Sequence, residues 1–362
     1  MAGFSNQWWY ARKMELLAVA ATECPVIVYN EESLNDTLFD LLALDPIDAL
    51  FYPMHHNPHP KILRKVFEMG AGFQCGSAEE LNRLIALFPE INPETVLFAP
   101  EIVVDEDLVL AFDYGVHVLV RNPRMIEDNR RIFQHRKLFL TLTPSNGEQN
   151  TAQSIIETLS SCQITLAGFS IQTKEPFAPP HHTDSWILRL VKTFRYSPEK
   201  TTLLLGGESA VIMDKKKGCI DISSTEEQLE ALTNALPGLT LWLKPGSGVV
   251  SGAGVLLAQV LLSTEENGLY TAGTNLPADP PMTNILLRPP HHVVNLSKMQ
   301  EETSNLTGVS GQEIKASLPM EAGDILLFTN VGACGREAIF RKEKQAIPEH
   351  YLNARKLCPV KI

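Results

Sequence analysis

Phe51-Tyr52-Pro53-Met54-His55-His56-Asn57-Pro58-His59-Pro60 is the stretch on which the fold of this chain turns. It begins in a β-rich run, Ala49–Tyr52, crosses a polar turn closed by two prolines, and opens an amphipathic run, Pro60–Met69. Strand, loop and helix in that order make one βα unit, with proline in the first helical turn, where its missing N–H costs nothing. Outward from here the alternation repeats. Further strands are expected at Gly72–Cys75, Thr95–Phe98, Val116–Val120, Leu138–Leu142, Thr165–Ile171, Thr201–Leu205 and Thr240–Leu243. Helices are expected between them at Ala78–Phe88, Asp105–Tyr114, Pro123–Gln134, Thr151–Ser161, Asp184–Phe194 and Thr225–Ala235. Ser77 with Glu80, and Ser224 with Glu227, have the spacing of reciprocal helix caps. Gly70, Gly115 and Gly238 stand where helices should stop. This alternation fits a (β/α)8 barrel, an α/β fold, and periodicity alone fits a doubly wound open sheet as well.

After Gly252 the texture changes. Apolar runs with turn signals, Val255–Leu262, Gly268–Thr271, Ile285–Leu287, His292–Leu296 and Gly323–Thr329, predict antiparallel strands of a separate β-domain. Val26–Tyr29 near the N-terminus is a candidate strand of the same sheet. The expected organisation is residues 1–35 joining the β-domain, 36–252 forming the barrel and 253–362 completing the β-domain.

A net charge of −11 disfavours nucleic acid and anionic membrane as partners. Six cysteines without a Cys-x-x-Cys pair suit free thiols in a reducing, cytoplasmic setting. Met1–Tyr10 lacks the charged and apolar regions of a signal peptide. No apolar run is long enough to cross a bilayer.

Several landmarks, in order, are similar to those of the alanine-racemase-fold decarboxylases that use pyridoxal phosphate, above all diaminopimelate decarboxylases and the decarboxylase half of fused aspartokinase–diaminopimelate decarboxylases. Cys24-Pro25-Val26-Ile27-Val28-Tyr29 resembles the family's Thr-Pro-Leu-Tyr-Val-Tyr segment. Asn57-Pro58-His59-Pro60 resembles its first barrel turn, and Met69-Gly70-Ala71-Gly72-Phe73-Gln74-Cys75-Gly76-Ser77 its second strand. Leu205-Gly206-Gly207 resembles the glycine-rich phosphate loop, and Pro245-Gly246 the centre of Glu-Pro-Gly-Arg. Gly323-Asp324-Ile325-Leu326 and Val331-Gly332-Ala333-Cys334-Gly335 resemble the C-terminal Gly-Asp-x-Leu and Gly-Ala-Tyr-Gly segments. The resemblance implies a barrel with an appended β-domain, two-fold dimers and a site at the barrel mouth.

The positions to which the resemblance assigns chemistry differ. The column of the lysine that holds pyridoxal phosphate is His55, which cannot form a Schiff base. The His-x-His-x-Gly-Ser stretch that stacks on the cofactor corresponds to Ser170-Ile171-Gln172-Thr173-Lys174-Glu175. The family's Glu-Pro-Gly-Arg is Lys244-Pro245-Gly246-Ser247, which puts a cation where a carboxylate would keep the pyridine nitrogen protonated. The Cys-Glu-x-x-Asp segment corresponds loosely to Ser310-Gly311-Gln312-Glu313, the Gly-Ala-Tyr-Gly tyrosine is Cys334, and the glycine loop shortens to Gly206-Gly207-Glu208-Ser209.

The expectation is therefore a decarboxylase-like protein without decarboxylase activity and without bound cofactor. It would act as a regulatory or assembly partner, as a homodimer or as a heterodimer with a related enzyme. The alternative is an active or repurposed amino-acid decarboxylase or lyase at the same mouth, with Lys174 or Lys244 as a relocated amine. Residual pyridoxal phosphate binding would fall to Gly206, Gly207 and Gly246, with Gln172 and Lys244 beside them. No metal is expected: His55, His56 and His59, with His181 and His182, are weighed as ligands, but adjacent strand residues point to opposite faces. The pair His291 and His292 is assigned to packing. Cys75 and Cys334 are either reactive thiols or inert packing.

Overall fold

The computed structural model describes residues 7–142, 149–172, 201–207, 210–214, 219–277, 292–298, 304–305, 308–310, 312–333, 347–353 and 357–359. The chain divides into two compact units, one of Leu38–Met213 and Ile220–Ser247, the other of Met1–Thr37, Asp214–Cys219 and Gly248–Ile362. Among the described residues no helix is long and apolar enough to cross a membrane.

Strand β1 is Val26–Asn30; the barrel strands follow as β2 (Ala49–Pro53), β3 (Gly72–Cys75), β4 (Val96–Phe98), β5 (His117–Val120), β6 (Lys137–Leu142), β7 (Thr165–Gln172) and β8 (Thr201–Gly206). Strands β9 (Met213–Asp214) and β10 (Cys219–Ile220) form a two-stranded ribbon, and β11 (Leu239–Lys244) closes the barrel between β8 and β2. All eight barrel pairings are parallel, so the open-sheet alternative is excluded. Every expected barrel strand is present within about two residues of its expected ends.

Helices cover the outside, and local chemistry sets their ends. The Ser77 hydroxyl accepts from Glu80 N–H, and the Glu80 carboxylate reaches back to Gly76 N–H at 2.7 Å. Gly115 ends the helix Asp105–Tyr114 in the left-handed region, at φ 73°. Two expectations need correction. The last barrel helix starts at Ile222, capped by Asp221, whose carboxylate accepts from Ser224 N–H; Ser224 is capped rather than capping. The run Pro123–Gln134 is two helices, Pro123–Asp128 and Arg130–Phe133, broken at Asn129, whose side-chain amide donates back to Met125 O. The helix expected at Asp184–Phe194 and the strand at Ile285–Leu287 lie outside the described residues.

The barrel interior is layered. Phe51, Leu97, Phe139 and Leu204, from β2, β4, β6 and β8, meet in one buried cluster, against which Trp242 of β11 packs. Trp242 lies 4.9 Å from Phe51 and 5.0 Å from Phe139, ring centroid to centroid, and His117 edges against Phe139. Side chains along a strand alternate in and out, so Lys244, two residues beyond Trp242, also faces inward. The pairings Phe51↔Gly72 and Pro53↔Gln74 put Gln74 on the inward face of β3. Leu204↔Ser170 and Leu119↔Phe139 do the same for Ser170 and Leu119. With the one-residue stagger per strand of an eight-stranded barrel, Lys244, Gln74, Leu119 and Ser170 form the next layer toward the C-terminal mouth. The layer below is apolar and aromatic; three of these four residues are polar. Gly72 is required by this packing, because a Cβ there would lie 2.5 Å from Thr95 O and 2.9 Å from the Phe51 ring.

The second unit is built on one sheet ordered β15-β14-β18-β12-β1-β19-β20, with β13, β16 and β17 extending from β12. Its strands are β12 (Gly254–Glu266), β13 (Leu269–Thr274), β14 (His292–Asn295), β15 (Ser304–Asn305), β16 (Gly308–Ser310), β17 (Glu313–Ala316), β18 (Ile325–Phe328), β19 (Glu349–Leu352) and β20 (Leu357–Pro359). β1 pairs antiparallel with β12 and parallel with β19, so the N-terminal strand lies inside the sheet, which is antiparallel elsewhere. The helix Lys13–Thr22 and Trp9 cover one face through Leu16, Val19 and Ala20 against Val26, Val28, Val255 and Leu257.

Candidate functional site

The mouth of the barrel takes its shape from the loop that follows β2. The Asn57 side chain accepts from His59 N–H at 3.0 Å, and Tyr52 OH donates to Asn57 O at 3.0 Å. His59 is buried, and its Nδ1 accepts from Lys61 N–H, which makes it the cap of the helix Pro60–Glu68. Arg83 donates to Pro58 O from the next helix. These bonds hold Met54–His56 as a single 3-10 turn on top of the strand.

That turn corrects the expectation that His55 and His56 point to opposite faces. The two are not on a strand, and their rings lie 4.3 Å apart at 44°. His56 Nε2 is 3.7 Å from where a Cβ of Gly246 would stand. His56 is neutral: desolvation, then His55 and Lys244, push its pKa down to about 3. The His55 imidazole is pushed below its usual range by desolvation, then by Lys244 and Arg121, with Glu101 opposing. His59 is taken up by the helix cap, and no group of three His, Cys, Asp or Glu among the described residues is placed to hold a metal ion. Cys75 is buried with its Sγ 3.5 Å from Met54 Sδ, and burial pushes its thiol far up, so it is packing rather than a nucleophile.

Lys244 is the central group. It ends β11, is only 5% exposed, and lies over β8, its Cε 2.7 Å from where a Gly206 Cβ would be. A side chain at 206 would meet the end of the lysine stem and push it aside. Desolvation, then the Arg121 guanidinium, lowers its pKa to about 8. No carboxylate among the described residues pairs with it; Arg121 pairs with Glu101 at 3.3 Å. Gln74 is 1% exposed, and its Oε1 has no hydrogen-bond partner among the described residues.

The mouth thus brings together His55, Gly206, Gly246 and Lys244 from the residues singled out in the sequence. The backbone of Gln172 pairs with Gly206. Gly207, at φ 77°, follows β8 in the left-handed region. The Gln172 side chain, Cys334, Lys174, Glu208, Ser209, His181, His182 and His291 lie outside the described residues. Sequence reasoning missed Gln74, Arg121 and Glu101 as members of the mouth. The signal was available: each lies two residues beyond an inward apolar residue, Gly72, Leu119 and Ala99, once the stagger of the barrel is applied.

Residues 41–160 match the family described as pyridoxal-dependent decarboxylase, pyridoxal binding domain. No curated protein matches the chain in sequence. Solved structures match it over nearly its whole length. A diaminopimelate decarboxylase superposes with a TM-score of 0.75 at 18% identity, covering 96% of this chain and 93% of that one. A protein of Aquifex aeolicus gives 0.76 at 16% identity, covering 95% and 90%. Lysine/ornithine decarboxylase of Vibrio vulnificus, complexed with putrescine, gives 0.70 at 18% identity, covering 95% and 98%. The closed parallel barrel, the separate β-domain and these likenesses establish that the chain has the fold of the alanine-racemase-type decarboxylases, with the pyridoxal-binding domain of the pyridoxal-dependent decarboxylases matched at residues 41–160.

Proposed function

We propose that this chain is a decarboxylase-fold protein that does not decarboxylate amino acids, and that it works as a binding partner through the same barrel mouth. One observation carries the reading: the inward position at the end of β11 holds a buried cation, Lys244, beside the positive charge of Arg121, and among the described residues no carboxylate pairs with it. Pyridoxal phosphate supplies an electron sink when its ring nitrogen is protonated. A second cation facing that nitrogen opposes the protonation, and the described residues do not fit the group in the way the resemblance implies. Two further features support this. The lysine column is His55, an imidazole with no amine to offer. The Lys244 stem fills the space above Gly206, where a phosphate would approach the glycine loop.

The role we assign is regulatory or structural, as a cytoplasmic homodimer or a heterodimer with a related enzyme, without nucleic acid or membrane partners. The acidic balance of the chain supports the last point. The test is carbon dioxide release from diaminopimelate, lysine and ornithine with added pyridoxal phosphate, for wild type and His55→Lys. Neither protein is expected to release carbon dioxide above background; release by wild type overturns the reading. Sedimentation at micromolar concentration tests the dimer, and a monomer alone would remove it.

A repurposed enzyme remains the second reading, because a buried amine with a pKa near 8 is the state in which lysine acts as a nucleophile. Borohydride trapping with pyridoxal phosphate, followed by peptide mapping, decides it. A stable adduct on Lys244 would favour this reading over the first.

A further inference from the structure

We draw no further inference here: the strongest candidate, the outer face of the helix Lys13–Thr22, on which Met14, Ala18 and Ala21 lie exposed, is an apolar surface patch, and nothing among the described residues shows what covers it.

Discussion

Lys244 is the residue at which stability and function pull apart. Burying an ammonium costs free energy, and its lowered pKa expresses that cost. Lys244→Met keeps the length of the stem and removes the charge, so it is expected to raise the melting temperature at pH 7 by several degrees, read by calorimetry. The sign with pH follows. A lysine whose pKa is depressed on folding destabilises the fold while protonated in the unfolded state. That penalty fades as pH rises from about 8 to 10.5. The gap between Lys244→Met and wild type should therefore close over that window; a gap that stays constant would mean that packing, not charge, produces it. The pair His55 and His56 shows the limit of sequence reasoning at this scale. Their spacing was legible, but their geometry was not, because a strand was assumed where the Asn57 and Tyr52 bonds impose a turn.

At the scale of the element, the barrel strands were legible because their apolar runs are short, rich in Leu, Phe and Val, and bounded by turn residues, and caps such as Ser77 mark helix starts. The misplaced cap at Ser224 has a physical cause. Asp221 stands three residues earlier, accepts from both the N–H and the hydroxyl of Ser224, and so starts the helix three residues sooner. What strands alone do not announce is how closely they meet. Gly72 lies against Thr95 O and the Phe51 ring, so Gly72→Ala must displace backbone. We expect this single methyl to cost several times the roughly 1 kcal/mol of a lost helix cap such as Ser77→Ala, measured by urea denaturation. Equal effects for the two substitutions would show that β3 and β4 can move apart freely.

For the whole molecule, partly desolvated imidazoles contribute to the acid limit, although His55 is exposed and His56 and His117 are only half-buried. His56, His55 and His117 all have pKa values lowered on folding, first by desolvation, and His56 falls to about 3. Such groups favour the folded state above about pH 6.5, and that contribution is lost as pH falls through the window down to the folded values. The urea midpoint should fall between pH 6.5 and 4.5, before most carboxylates titrate, and His56→Gln should make the fall shallower. An unchanged slope would remove His56 as a cause. The sequence by itself determined the order of strands and helices, the two kinds of domain and the family resemblance, because hydrophobic periodicity and turn chemistry are local properties. Only the tertiary structure decided that the sheet closes, that β1 lies inside the second sheet, and that Lys244, Gln74 and Ser170 share one layer. Closure and stagger are set by pairing between strands far apart in sequence, and so are the neighbours, burial and charge of each side chain at the mouth.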